Sequence, residues 1–197
     1  MDPETLIKIQ TFVKQSTSHF DESHDYYHAE KVAYNTTVIL QSKLLPITMQ
    51  KVALIVAWLH DVCDYKYPES IKKEQLIEFI DSIMPEEKDN IFQIINNISW
   101  SKERRCEREK FKFPYQLILV IVSDADRLEA IGKVGMERCI AFGKAKKPGM
   151  DKVAEHCVDK LLRLLPENYI KTSKGRELAI PLHEYVQGWY DGYMAHN

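Results

Sequence analysis

The segment from Val52 to Asp61 constrains the fold more than any other part of the sequence. Its first eight residues are all apolar, so a helix over this segment has no polar face and must be buried. The helix ends in the adjacent pair His60 and Asp61. A carboxylate in such surroundings is unfavourable unless a cation or a strong hydrogen-bond donor compensates its charge. The segment therefore predicts that His60 and Asp61 bind a metal ion together with ligands from elsewhere in the chain.

A histidine–aspartate pair is a weak signal by itself, and the chain contains a second pair at His24. His28 strengthens the prediction, because it lies on one helical face with Val32 and Ile39. A histidine on an apolar face is usually a hydrogen-bonded core residue, and taken alone His28 has that alternative explanation.

Asp124 is the other candidate ligand. It shares a helical face with Leu117, Ile121 and Leu128, whereas Asp126 is expected to face elsewhere. The alternative explanation for Asp124 is a buried salt bridge to an arginine.

The combined ligand set has two imidazoles and two carboxylates: His28, His60, Asp61 and Asp124. Such a set suits one divalent cation with open positions for water or a substrate oxygen. Zinc sites more often recruit thiolates. Mn²⁺, Mg²⁺ or Fe²⁺ is therefore the expected cofactor.

The order His, His-Asp, Asp resembles the HD-domain metal-dependent phosphohydrolases. The resemblance extends over about residues 5–190, and its most specific stretch is 123–132, with the sequence SDADRLEAIG. Residues 24–32, 59–66 and 98–102 also resemble motifs of a small single-domain HD subfamily. Members of that subfamily are metal-dependent, often manganese-dependent, nucleotide pyrophosphohydrolases.

The resemblance implies a nucleoside triphosphate pyrophosphohydrolase that releases pyrophosphate through a metal-activated water, with Mn²⁺ preferred over Mg²⁺ or Fe²⁺. A nucleoside monophosphatase or phosphodiesterase on the same scaffold is one alternative, and a non-catalytic nucleotide-binding protein is another. Lys31, Glu129 and Lys133 depart from the residues usual in the subfamily. These departures bear on substrate preference and leave the four proposed ligands untouched.

Polar residues beside the motifs are candidates for catalysis and substrate binding. Asp64 can orient or deprotonate the water, or alternatively cap the helix end. His24 can orient His28 or the nucleophile, or alternatively belong to a helix start capped by Asp25. The candidates for contacts with the triphosphate are Lys66, Lys102 and Arg127, each of which has a solvated surface charge as its alternative role.

The pattern predicts an all-α protein. The expected helices cover residues 4–17, 24–43, 48–62, 70–83, 86–98, 115–143 with an interruption near Gly132, 151–165 and 173–194. We expect one compact helical bundle with the HD-domain fold over residues 1–197. Residues 151–197 are expected to form C-terminal helices that close the bundle.

Charge, apolar runs and cysteine content indicate which partners and which cellular location to expect. A net charge of -2 argues against a nucleic-acid partner. The apolar runs are too short to span a bilayer, and residues 1–20 lack the apolar core of a signal peptide. The four cysteines form no C-x-x-C pair. We therefore expect a cytoplasmic protein without nucleic-acid or membrane partners. The HD resemblance implies a small phosphorylated substrate, and a homodimer through one C-terminal helix is left open.

Overall fold

The computed structural model describes residues 1–21, 24–64, 67–145 and 149–196, with 142–145 described by their backbone. Every regular element within these residues is helical, which confirms the all-α prediction. The α-helices are α1 (Pro3–Ser16), α2 (Tyr26–Leu40), α3 (Ile47–Leu59), α4 (Lys73–Ile83), α5 (Lys88–Ile95), α6 (Trp100–Arg104), α7 (Tyr115–Ala130), α8 (Gly132–Ala145), α9 (Gly149–Asp159) and α10 (Ser173–Ala195). Short 3-10 segments lie at Pro85–Glu87 and Leu161–Arg163. In the part of the chain described, no helix has the length and apolar character needed to cross a membrane.

Several helix boundaries differ from the predicted ones, and two of them have a clear local cause. α2 begins at Tyr26 because Asp25 is its N-cap, and the Asp25 carboxylate accepts a hydrogen bond from the backbone N–H of His28 at 3.0 Å. The helix predicted over 151–165 ends at Asp159 instead. The backbone of Lys160 leaves the helical region with φ of -135° and ψ of -63°, and a 3-10 turn follows.

The chain divides into two units, Met1–Ser123 and Asp124–Asn197. In the first unit α3 is the central helix and packs against α1, α2 and α5. Most of its side chains from Val52 to Leu59 are buried, as the apolar run predicts. This packing fixes the C-terminal end of α3, where His60 and Asp61 follow. The single domain expected over 1–197 stays a prediction.

In the second unit α8, α9 and α10 pack against one another. The predicted interruption near Gly132 is confirmed, because α7 ends at Ala130 and Gly132 opens α8 with φ of +78°. Only glycine adopts this backbone conformation without strain. A Cβ at Gly132 would also lie 2.6 Å from the Cδ2 atom of Leu182.

Candidate metal centre

His60 lies at the C-terminal end of α3, and its ring is held in one orientation. Its Nδ1 is 2.8 Å from the carbonyl oxygen of Ala57. A carbonyl oxygen can only accept, so Nδ1 carries the proton and donates, and Nε2 keeps its lone pair. The side chain of His60 is 2% exposed. His60 therefore presents a fixed, desolvated nitrogen donor.

His28 lies in the first turn of α2, where the Asp25 cap holds its backbone N–H. Its Nε2 atom is 3.2 Å from the Nε2 atom of His60. The Oδ2 atom of Asp61 lies 3.4 Å from His28 Nε2 and 3.2 Å from His60 Nε2. The first unit thus brings together three of the four predicted ligands.

These three atoms fit the coordination sphere of one divalent ion. Ligand atoms that bind an ion at about 2.1 Å from neighbouring positions lie roughly 3.0–3.4 Å apart. The donor set of two neutral nitrogens and one carboxylate oxygen is also one that divalent transition metals accept. The side chain of Asp61 is 22% exposed, so the group is open to solvent on the Asp61 side.

The ionisation of Asp61 is consistent with a cationic environment. Burial by itself raises the pKa of this carboxyl, but the neighbouring rings of His60, His28 and His24 outweigh it through charge and hydrogen bonds when they are protonated, and then hold the pKa of Asp61 well below its usual value. A positive charge beside Asp61, on an imidazole ring or on a bound ion, therefore keeps this carboxyl ionised.

His24 and Asp64, the predicted catalytic pair, lie beside these ligands. The Nε2 atom of His24 is 3.8 Å from Asp64 Oδ2 and 4.0 Å from Asp61 Oδ2. The side chains of His24 and Asp64 are 22% and 10% exposed. The first unit therefore places the carboxylates of Asp61 and Asp64 on the Nε2 side of the His24 ring, at the edge of the ligand cluster.

Asp124 belongs to the second unit and is fully buried there. Its Oδ2 accepts hydrogen bonds from the backbone N–H groups of Thr172 at 2.6 Å and Lys171 at 3.0 Å, and Lys171 is also 2.9 Å from Oδ1. Burial raises its pKa above the usual value, against the lowering effect of these bonds and of Arg127. Backbone donors at the start of α10 thus hold the Asp124 carboxylate. Its role as a metal ligand stays a prediction.

Two of the three predicted substrate-binding residues, Lys102 and Arg127, already contact backbone carbonyl oxygens. The Nζ atom of Lys102 donates to the carbonyl oxygen of Asn96 at 2.6 Å. Arg127 is 2% exposed, donates to the carbonyl oxygen of Tyr169 and lies over the Tyr169 ring at 5.8 Å. Lys66 lies outside the described residues. Contacts of these three side chains with a substrate stay predictions.

Two residues of the first unit were missed by the sequence analysis. The hydroxyl of Tyr67 is 3.1 Å from His24 Nδ1, and Tyr67 lies beyond the matched motifs. The side chain of Arg108 is 11% exposed and pairs with Glu103 at 2.5 Å. It also donates to the Ser123 hydroxyl at 3.0 Å. Hydrophobic periodicity signals neither the Tyr67–His24 contact nor the Arg108–Ser123 contact, because their partners lie 43 and 15 residues apart and follow no helical repeat.

Comparison with known proteins supports the HD resemblance at the level of the fold. No protein-family model matches the sequence. The uncharacterized protein YpgQ of Bacillus subtilis (strain 168) is 29% identical over 189 residues, which cover 91% of this chain and 87% of YpgQ.

Solved structures give the same result. The crystal structure of Bacillus subtilis YpgQ in complex with ADP has a TM-score of 0.78 at 25% identity, covering 98% of this chain and 95% of that one. An HD-superfamily hydrolase from Bacillus thuringiensis has a TM-score of 0.73 at 24% identity, covering 98% and 96%. This chain therefore shares its all-α fold with YpgQ and with that HD-superfamily hydrolase.

Proposed function

We propose that this chain is a divalent-metal-dependent phosphohydrolase that acts on nucleotides. The observation that carries the proposal is the convergence of His28 Nε2, His60 Nε2 and Asp61 Oδ2 within 3.4 Å of one another. A carboxylate against two largely buried imidazoles is most favourable when a cation joins them. The fold shared with an HD-superfamily hydrolase supports hydrolysis as the chemistry.

The expected ion is Mn²⁺, with Mg²⁺ or Fe²⁺ as alternatives. The three converging ligand atoms are nitrogen and oxygen donors without a thiolate, which favours these ions over structural zinc. When bound, a divalent ion supplies neutralisation of phosphate oxygens and lowers the pKa of a water molecule.

His24 and Asp64 are proposed to move the protons of the reaction. Asp64 Oδ2 lies on the side of His24 that also faces Asp61, so its carboxylate is placed to accept a proton from the attacking water. The Nε2–H group of His24 can donate to the oxygen on which negative charge develops. Both groups stand next to the ligands.

The proposed substrate is a nucleoside triphosphate, which is cleaved between the α and β phosphates to release pyrophosphate. The ADP complex of YpgQ supports a nucleotide as the class of ligand. Lys66, Lys102 and Arg127 are proposed to contact the phosphates. For Lys102 and Arg127 this requires giving up or sharing the carbonyl contacts they make now.

We further propose that an acidic side chain of α7 completes the ligand set. Asp124 is the residue that the sequence predicts, but its carboxylate also holds the N–H groups of Lys171 and Thr172. Asp126 is half-buried and two residues further on, and it is the alternative. Mn²⁺ titration of Asp124→Asn and Asp126→Asn separates the two, because loss of the ligand weakens binding in one variant only.

The first experiment uses metal-stripped protein, with and without added Mn²⁺, and a panel of nucleoside mono-, di- and triphosphates. Products are identified by anion-exchange chromatography. We expect Mn²⁺-dependent formation of a nucleoside monophosphate and pyrophosphate from at least one triphosphate.

Other products would change the proposal in defined ways. Orthophosphate from monophosphates would make the protein a nucleotidase and contradict the pyrophosphohydrolase reaction. Binding of nucleotides without turnover at any metal would contradict the hydrolase proposal and favour a binding role.

A further inference from the structure

We propose that Tyr67 is a positioning residue that fixes the His24 ring with Nε2–H directed at Asp61 and Asp64. The inference rests on the proposed function, in which His24 handles a proton, and it extends that function to a residue outside the HD motifs. Tyr67 acts through His24 and has no assigned contact with the substrate.

Two aromatic neighbours, Phe20 and His24, hold the ring of Tyr67 in place. It stacks on Phe20 with ring centroids 4.0 Å apart and an angle of 11° between the planes. On another side it meets the His24 ring edge-on, with centroids 5.6 Å apart and an angle of 63°. Stacked and edge-on aromatic contacts are both favourable geometries. The hydroxyl therefore reaches His24 Nδ1, at 3.1 Å, from a ring that is already held.

The charges around His24 determine which atom of this hydrogen bond carries the proton. Nε2 faces the carboxylate oxygens of Asp64 at 3.8 Å and Asp61 at 4.0 Å, so the neutral ring is most stable with its proton on Nε2. Nδ1 then has a free lone pair and accepts from the phenol O–H of Tyr67.

The carboxylate of Asp21 favours the other tautomer of His24, with the proton on Nδ1. The Oδ1 atom of Asp21 lies 4.0 Å from His24 Nδ1 and favours a proton there. The Asp21 side chain is 56% exposed, so solvent and salt screen its charge more than those of Asp61 and Asp64. The hydroxyl of Tyr67 is also closer to Nδ1 than Asp21 is. The Nε2–H form is therefore the one that this geometry selects.

The tautomer can be read directly by NMR, without substrate or metal. Protein labelled with ¹⁵N at its seven histidines is recorded in a long-range ¹H–¹⁵N correlation experiment, and His24→Gln identifies the His24 signals. We expect wild-type His24 to show an unprotonated Nδ1 and a protonated Nε2. In Tyr67→Phe, which keeps the stacked ring, we expect the two nitrogen signals to move towards each other as the tautomers mix. A protonated Nδ1 in the wild-type protein, or an unchanged pattern in the variant, would overturn the inference.

Kinetics provide the second readout. With the substrate identified as above, Tyr67→Phe is expected to lower kcat about tenfold with little change in KM, because the proton donor is less well oriented. The control is Tyr193→Phe, which removes an exposed hydroxyl bonded to Asp151 at 2.6 Å in the other unit and should keep wild-type kcat. Equal kcat in Tyr67→Phe and wild type would overturn the role. Absence of hydrolysis by the wild-type protein contradicts the proposed function, whereas the NMR result stands independently and still decides the tautomer.

Discussion

The Nδ1–H group of His60 is bonded to the carbonyl oxygen of Ala57, one turn earlier in α3, at 2.8 Å. The last turn of α3 leaves this carbonyl oxygen without a helical partner, and His60 satisfies it. The same bond directs the Nε2 lone pair of His60 towards His28 and Asp61. The end of a buried helix thus prepares a ligand atom before any ion is bound.

Replacing His60 by alanine should abolish metal binding while leaving the helices in place. We expect the affinity for Mn²⁺, measured by electron paramagnetic resonance, to fall more than about 100-fold. The control is His196→Ala, because His196 is exposed and its ring contacts the carbonyl oxygen of Gly192, one turn earlier in α10. Equal Mn²⁺ affinity in the two variants would remove His60 from the ligand set.

Asp124→Ala should destabilise the protein whether or not Asp124 binds metal. The substitution leaves the N–H groups of Lys171 and Thr172 without their acceptor, at a cost of about 2–4 kcal/mol in the free energy of unfolding. Urea denaturation of the metal-free protein measures it. Asp191→Ala, at an exposed position of α10, should change the same quantity by less than about 0.5 kcal/mol. A similarly small effect of Asp124→Ala would show that the carboxylate does not hold the start of α10.

Substitution of two glycines of α10, Gly175 and Gly188, provides a matched pair of variants that tests the packing around Asp124. A Cβ at Gly175 would lie 2.7 Å from Thr172 Oγ1 and 2.8 Å from Asp124 Oδ2, and Gly188 has nothing within 4 Å. We expect Gly175→Ala to lower the free energy of unfolding by about 1–3 kcal/mol. Gly188→Ala should raise it by up to about 1 kcal/mol through helix propensity. If thermal unfolding gives the two variants the same stability, the close packing at Gly175 is wrong.

The four thiols should differ widely in reactivity. Burial raises the pKa of Cys157 to about 12, and burial also raises the pKa values of Cys63 and Cys139. Cys106 is exposed. Because the thiolate is the reactive form, iodoacetamide at pH 8 should label Cys106 first and Cys157 only after denaturation. Peptide mass spectrometry measures the order, and early labelling of Cys157 in the folded protein would contradict its burial.

The sequence correctly predicted those helices whose pattern of apolar residues lies within the helix itself. The apolar run from Val52 onward required a buried helix, and α3 is that helix. The end of the helix predicted over 151–165 was wrong, because amphipathic spacing continues past Asp159 while the backbone at Lys160 turns. Hydrophobic periodicity reports the burial of side chains and is insensitive to one backbone angle.

The candidate site shows a similar limit. Periodicity placed His28 and Asp124 on apolar helix faces, but it does not indicate which helices are neighbours. The combination of these residues with His60 and Asp61 into one ligand set came from the HD resemblance. The contacts of Asp124 with Lys171 and Thr172 use backbone N–H groups, which every sequence offers equally. The contact of Tyr67 with His24 spans 43 residues and follows no repeat. Such pairings become visible only when the chain is folded.

The backbone donors of Asp124 lie 47 and 48 residues downstream of it. A nonsense mutation before Lys171 would therefore leave without these donors a carboxylate that is 0% exposed in this structure. The truncated polypeptide would have to rearrange around that charge or remain open there, which favours aggregation and degradation over a partly active remnant. Truncation before Thr172 therefore removes at least one of the two donors of Asp124, although Thr172 lies far along the chain from His28, His60 and Asp61.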